Sequence, residues 1–209
     1  MFKKLALVAL ITASASAAQA QTGLRADVQI GWDHQSVDVL LSDSVGVVSG
    51  KDSRDGFAYG GEIGFDVPAG NFLVGVYGGI TGASTGECIE VYGGDEACLK
   101  AGRNFSAGVR AGAMLSGNVL LYAKGGYSNG RLKVSYRDPV DPSYDFRAGG
   151  NFDGYHLGAG VQVDLGRNIY SKLEYVRTDY KDFDYRDGTF GARAQLDRDT
   201  VLYGFGIRF

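Results

Sequence analysis

His34 and Ser36 are the first candidates for a reactive pair in this sequence, because an imidazole and a hydroxyl flank a single residue, Gln35. In an extended strand, residues two apart share a face, so this imidazole and this hydroxyl are expected side by side. A hydroxyl, an imidazole and a carboxylate together have the composition of an activated nucleophile, and Asp38 is a nearby acid. Because any polar connection contains an acid, we expect no enzyme from this pair alone.

The sequence predicts no metal site and no cofactor site. Two His and two Cys are too few to build a zinc-cluster protein. The Gly158-Ala159-Gly160 stretch lies inside a strand-like pattern and does not precede a helix, so it is not a dinucleotide-binding fingerprint. The formal charge of −3 provides no basic field, and we therefore expect no nucleic acid partner.

The chain is predicted to be built from β-strands, because the hydrophobic residues recur with a period of two. One face of each strand is apolar, and the other is mostly Gly, Ala and Ser with a few charged residues. Eight segments show this alternation, at residues 24–33, 57–67, 72–81, 104–113, 119–128, 155–164, 169–176 and 201–209.

The connections between these strands alternate between short and long. The short ones are turn sequences at 68–71, 116–118 and 166–168, and the long polar ones are 34–56, 84–103, 129–153 and 179–199. This order predicts an all-β fold, an eight-stranded antiparallel up-and-down transmembrane β-barrel. Its apolar face would contact lipid, with aromatic girdles at both ends, and its Gly-rich face would line the lumen. A soluble lipocalin-like barrel is the alternative.

The N-terminus has the pattern of a secretory signal peptide. Lys3 and Lys4 precede an apolar stretch at 5–13, and Ala18-Gln19-Ala20 has the small-x-small form of a cleavage site. We expect residues 1–20 to be cleaved on export and residues 21–209 to form an outer-membrane β-barrel domain.

Several of these features together resemble one protein family. They are the predicted signal peptide, the eight strands, the Leu173-Glu174-Tyr175 stretch and the ending Tyr203-Gly204-Phe205-Gly206-Ile207-Arg208-Phe209. The chain is similar in these respects to the small outer-membrane β-barrels of OmpA, OmpX and opacity type, often labelled porin-family. The resemblance implies the bacterial outer membrane. It also implies that Phe209 is the terminal signal read by the barrel-assembly machinery.

Four charges on the predicted inward face lie about seven residues from a short turn: Glu62, Arg110, Lys124 and Glu174. Seven residues of tilted strand rise roughly 16 Å, so the four are predicted to form one layer at mid-membrane. Arg110 and Lys124 would face each other across a hairpin, and Glu62 and Glu174 would be their counter-ions. We favour a structural plug of salt bridges, while an ion gate or a proton relay stay open.

Other inward charges and both cysteines are also expected to be structural. Asp66, Asp164 and Arg208 are predicted near the periplasmic rim. Cys88 and Cys98 lie in one long connection, and in an oxidising compartment we expect them to form a disulfide.

The expected function is that of an outer-membrane structural or surface protein whose long loops serve adhesion or surface interaction. Three of the four long connections are acidic. The expected partners are outer-membrane lipid and lipopolysaccharide, the assembly machinery and an unknown surface partner, and the barrel is expected to be a monomer.

A narrow porin-like channel is the alternative function. A lipid A-modifying enzyme is a distant one, because lipid A deacylase barrels use a lipid-facing His and Ser two residues apart. In those barrels, however, the pair lies late in the chain.

Overall fold

Every strand in the described part of the chain pairs antiparallel with its neighbours, and the sheet closes on itself. The computed structural model describes residues 23–42, 47–84, 86–90, 96–137, 146–181, 183–187 and 190–209, so the predicted signal peptide lies outside the described residues. The strands are β1 Gly23–Ser42, β2 Val47–Ala69, β3 Phe72–Ala83, β4 Gly86–Glu90, β5 Glu96–Ser116, β6 Val119–Arg137, β7 Phe146–Asp164, β8 Ile169–Tyr180, β9 Phe183–Asp187 and β10 Phe190–Arg208. No helix that could span a membrane occurs in the described residues.

These ten strands make the eight walls of a closed barrel, which confirms the predicted fold class. β3 and β4 pair with successive parts of β5, and β8 and β9 pair with successive parts of β10, so each pair fills one wall position. β1 pairs with β10 without a break from Arg25 opposite Arg208 to Ser42 opposite Gly191. Closure leaves no free sheet edge along this seam, as a barrel in hydrocarbon requires.

The strands extend well beyond the segments predicted from alternation. β1 runs to Ser42 and β2 starts at Val47, so most of the predicted connection 34–56 is strand. Strands also cover much of the predicted connections 84–103, 129–153 and 179–199. Where both faces of a strand are in water, neither face needs to be apolar, and the period-two signal disappears. Backbone hydrogen bonding that begins in the membrane-spanning part of the strands continues into these extensions, although the sequence there has no alternating pattern.

The turns at the opposite end of the barrel are tight, as predicted. Between β2 and β3 only Gly70 and Asn71 lie outside the strands, and Gly70 has a φ of +67°, which L-residues rarely adopt. β5 and β6 are joined through Gly117 and Asn118. We refer below to this side as the turn end and to the other as the loop end.

The apolar side chains lie on the outside of the barrel. Val28 is 69 % exposed and Leu157 is 73 % exposed, which is the inverse of a soluble barrel packed around an apolar interior. Aromatic side chains occupy both ends of this outer face. Phe65, Phe72 and Phe209 lie toward the turn end, and Trp32, Phe57, Tyr59, Phe105, Tyr127 and Tyr155 toward the loop end.

Inward glycines lie beside the largest lumen side chains. Glu174 is the register partner of Gly160, and Lys172 is the partner of Gly204. A Cβ at Gly204 would lie 2.9 Å from Cε of Lys172. The glycines therefore provide the room in which long charged chains fold into a narrow lumen, because eight strands enclose space only for side chains.

Candidate functional site: the charged lumen

The four charges predicted as one layer are all buried inside the barrel. Lys124 Nζ lies 2.5 Å from Glu62 Oε2 and 2.9 Å from Glu174 Oε1, so one ammonium group bridges two carboxylates. Arg110 is the register partner of Lys124, as expected across the β5–β6 hairpin. The repulsion between these two cations is compensated because each of them pairs with different carboxylates.

Arg110 does not use the counter-ions that we expected for it. Its Nε donates to Oδ1 of Asp66 at 2.9 Å, its second nitrogen donates to the other oxygen of the same carboxylate, and a third bonds to Gln162 at 3.3 Å. Asp66 was expected near the periplasmic rim, at a depth similar to that of Asp164 and Arg208; it lies four residues before the Gly70 turn, and its carboxylate is the partner of Arg110. Counting residues from a turn gives the height of a Cα, whereas the long Arg110 side chain leaves its own level and reaches toward the turn end.

Three further charged residues extend this cluster: Lys172 and Arg25 contact Glu62, and Asp27 joins through its ion pairs with both of them. Lys172 Nζ lies 3.0 Å from Asp27 Oδ1 and 3.3 Å from Glu62 Oε1. Arg25 lies 2.7 Å from Glu62 and 3.3 Å from Asp66. The parity of β1 and β8 already assigns Arg25, Asp27 and Lys172 to the inward face. The height count selected residues about seven positions from a short turn, so it did not select Lys172, five residues after Arg167, or the two β1 residues, which no predicted short turn precedes.

These residues form a cluster with balanced charge, which we call the central network. Its four cations match its four anions: Arg25, Arg110, Lys124 and Lys172 with Asp27, Glu62, Asp66 and Glu174. Tyrosines add hydrogen bonds to it, since Tyr122 donates to Glu174 at 2.8 Å and Tyr170 donates to Asp27 at 2.7 Å. A buried charge is tolerated only when it is paired in this way.

A separate ion pair lies at the turn end. Arg208 approaches Asp164 at 3.3 Å, and its guanidinium lies over the ring of Tyr170 at 5.5 Å. Of the three residues expected at the periplasmic rim, the structure therefore pairs two with each other. The third, Asp66, belongs to the central network.

A second polar level crosses the lumen toward the loop end. Arg198 Nε lies 2.5 Å from Asp33 Oδ1, and Thr200 donates to the same carboxylate oxygen at 3.3 Å. A cavity of about 40 Å³ lies between this level and the central network, and its lining includes Glu62, Lys124 and Arg198. That volume holds only a few water molecules.

His34 and Ser36 lie on the outer face and have a carboxylate partner. His34 Nδ1 lies 2.7 Å from Asp55 Oδ1, and Ser36 Oγ lies 3.4 Å from His34 Nε2. Asp38, the acid expected from the sequence, instead contacts Lys51 at 3.3 Å. Asp55 is 21 residues from His34 and becomes its neighbour only through the β1–β2 register.

The remaining sequence candidates lie at opposite ends of the barrel. Cys88 and Cys98 are register partners in the β4–β5 ladder, but their side chains are not among those described, so the disulfide stays a prediction. Phe209 is 68 % exposed on the outer face, and its N–H donates to the carbonyl of Leu24 at 2.8 Å. Within the described residues, no group of three or more His, Cys, Asp or Glu side chains is arranged to hold a metal ion.

Comparison with known proteins agrees with this architecture. The family model described as the outer membrane protein beta-barrel domain matches residues 5–209. A 22 kDa outer membrane protein of Rhizobium leguminosarum bv. viciae is 40 % identical over 92 residues, which are 43 % of this chain and 39 % of that relative's length.

Solved structures of small barrels are similar over most of the chain at low identity. OprG from Pseudomonas aeruginosa is 14 % identical with a TM-score of 0.49, covering 91 % of this chain and 98 % of its own. Ail of Yersinia pestis is 16 % identical with a TM-score of 0.45, covering 90 % of this chain and 99 % of its own. The match of the family model over nearly the whole chain shows that this protein belongs to the outer membrane protein beta-barrel domain family and resides in the outer membrane.

Proposed function

We propose that this protein is a structural surface barrel with a closed lumen, which presents extended strands outside the membrane for adhesion or another surface interaction. The observation that carries the proposal is the central network. Its eight charged side chains come from β1, β2, β5, β6 and β8, so they reach across the lumen from more than half of its walls.

The energetics of the central network favour a plug over an open pore. An ion that crosses must separate contacts such as the 2.5 Å pair between Lys124 and Glu62. Breaking one partner away from a buried ion pair costs about 3–5 kcal/mol, and the Asp33–Arg198 pair is a second barrier above it. We therefore expect little or no ion conduction.

The strand extensions support a surface role. β5 has 21 residues, whereas about 9–11 are enough to cross a bilayer, so the rest of the tilted strand extends roughly 25 Å beyond the membrane, measured along the membrane normal. The projecting parts of β1 and β2 are paired with each other throughout, and residues 49–55 are exposed there. A paired extension is a stiff scaffold, and loops on such scaffolds commonly carry binding specificity. We propose a macromolecule at the cell surface as the partner, and lipopolysaccharide as the surroundings of the monomeric barrel.

A narrow channel is the second candidate, and the cavity of about 40 Å³ between the two polar levels is the observation that favours it. Planar-bilayer recording of refolded protein separates the two. We expect no stable unitary steps from the wild type. The double variant Lys124→Ala, Glu174→Ala removes a cation and an anion together, and we expect it to conduct. Large, stable openings of the wild type would refute the closed-lumen proposal and support the channel.

The orientation of the extensions is tested by cysteine labelling on intact cells. Gly50 lies in the β2 extension and Gly117 in a turn at the other end, and a Cβ at either position would meet no atom within 4 Å. With a membrane-impermeant maleimide, we expect Gly50→Cys to be labelled and Gly117→Cys to stay unlabelled, with the wild type as background control. The reverse result would place the turns outside the cell and refute the proposed surface.

A further inference from the structure

A hydrogen-bonded Ser–His–Asp chain lies on the outer face of the barrel, apart from the lumen. His34 and Asp55 are register partners, and the 2.7 Å contact joins His34 Nδ1 to a carboxylate oxygen. Because a carboxylate only accepts, Nδ1 carries the proton and the lone pair of Nε2 faces Ser36 Oγ at 3.4 Å. This is the order nucleophile, base and orienting acid, at the looser spacing common in the absence of substrate.

The residues around Ser36, His34 and Asp55 place these three side chains at the boundary between lipid tails and headgroups. The ring of Trp32 stacks on His34 with centroids 5.5 Å apart and planes at 24°. Trp32 belongs to the outer aromatic girdle, which marks the interface of a membrane barrel. Further toward the turn end, Ile30 and Val28 continue the same face as exposed apolar side chains. An extended acyl chain lying along Ile30 and Trp32 would bring its polar end to Ser36, since six strand residues from Ile30 to Ser36 span about 20 Å.

The other charges near His34 are already paired. On the β10 side its register partner is Asp199. Tyr175 donates to Asp199 at 2.5 Å, and Arg177 lies 3.6 Å from it. Arg177 also approaches Asp197 at 3.3 Å. Asp55 is therefore the carboxylate that orients the imidazole.

We propose that Ser36, His34 and Asp55 form a hydrolytic site for carboxylic esters of membrane-embedded acyl lipids. Ser36 Oγ attacks the ester carbonyl carbon while His34 Nε2 takes the hydroxyl proton. The alcohol leaves with that proton, and the acyl group remains on Ser36. Water then transfers a proton to His34 and adds to the acyl carbon. The fatty acid leaves, and the proton returns to Ser36.

The geometry also sets an expectation for the rate. Around Ser36, β1 is paired on both sides, with β2 and with β10, so its backbone N–H groups are engaged in ladders. Charge on the reacting oxygen must then be stabilised by side chains or water, and losing one preorganised donor typically slows an acyl transfer by about 10²–10³-fold. We expect slow turnover. The activity is independent of the closed lumen, which bilayer recording tests separately.

The test uses refolded full-length mature protein in detergent micelles with p-nitrophenyl butyrate and p-nitrophenyl palmitate as probes. We expect hydrolysis above the uncatalysed rate, faster for the longer ester at equal micellar concentration, and its loss in Ser36→Ala and His34→Asn. Ser53→Ala is the matched control and keeps wild-type activity. Ser53 is the register partner of Ser36 and lacks its contact with His34 in the structure. Asp55→Glu retains more activity than Asp55→Asn, as a positioning carboxylate requires.

Covalent labelling locates the nucleophile independently of turnover. A fluorophosphonate probe loses fluoride when a serine oxygen attacks its phosphorus, and peptide mass spectrometry then identifies the modified residue. We expect the label on Ser36, and we expect none on His34→Asn. Heat-dependent migration on gels verifies that each variant is folded. The proposal is refuted if the wild type neither hydrolyses the esters nor accepts the label, or if Ser36→Ala does either as well as the wild type.

Discussion

Replacing Glu62 by Gln should destabilise the barrel more than any change at an exposed carboxylate. Glu62 contacts three cations of the central network, at 2.5 Å to Lys124, 2.7 Å to Arg25 and 3.3 Å to Lys172. The amide keeps the shape and removes the charge, which leaves four cations against three anions in a buried cluster. Removing one partner of a buried ion pair costs about 3–5 kcal/mol. We expect about 3 kcal/mol, since the amide oxygen still accepts one hydrogen bond.

The assay is reversible urea unfolding in lipid vesicles, followed by fluorescence. Trp32 is the single tryptophan of the chain and lies in the outer girdle, so its emission reports insertion directly. Asp52→Asn is the control, because Asp52 forms an exposed pair with Arg54 at 2.9 Å. Exposed pairs contribute about 0–1 kcal/mol, so the control should unfold close to the wild type.

A second substitution tests whether the charges act together. Glu62→Gln combined with Lys172→Met restores balance at three cations and three anions, and we expect the pair to cost less than the sum of the two single changes. If Glu62→Gln costs no more than Asp52→Asn, the lumen is hydrated enough to screen its charges, and the reasoning fails. Strict additivity of the double variant would show that the eight residues are not one network.

Three further predictions concern packing, the cysteines and assembly. A Cβ at Gly160 would lie 2.6 Å from Tyr122 Oη, so Gly160→Ala should lower the free energy of unfolding by about 1–3 kcal/mol. Gly50→Ala, where nothing lies within 4 Å, should leave it unchanged in the same urea assay. Unreduced peptide mass spectrometry should show Cys88 linked to Cys98, and free thiols on protein isolated from the envelope would contradict this. Deleting Phe209 should lower outer-membrane levels in cells while refolding into detergent stays near normal. Normal cellular levels of the truncated protein would refute its role as an assembly signal.

Local patterns in the sequence were enough for the fold class. Alternation in the eight segments depends on neighbours two residues apart, and a lipid-facing strand repeats it over its whole membrane span. Short turns such as Gly70-Asn71 could be recognised because their conformational demands are local. Outside the membrane this information ends, since both faces of a strand such as the projecting part of β1 contact water. The strand extensions were therefore predicted as loops.

The ion-pair partners of the lumen charges could not be predicted from local sequence patterns. Parity placed Arg25, Lys172 and Asp66 on the inner face, but their partners depend on strand stagger and on how far each side chain reaches. Arg110 binds Asp66, 44 residues away, and Glu62 meets Lys172, 110 residues away. A one-residue change of register would alter every such pair.

Local sequence patterns predicted the strand periodicity, the inverted placement of apolar residues, the position of the tight turns and the inward orientation of the lumen charges. The folded barrel was needed to see the balanced central network, the second polar level at Asp33 and Arg198, and the contact of His34 with Asp55 rather than Asp38. The difference lies in the range of the interactions. Alternation reflects the environment of single strands, whereas ion pairs and hydrogen-bonded chains require the register and closure of the whole barrel.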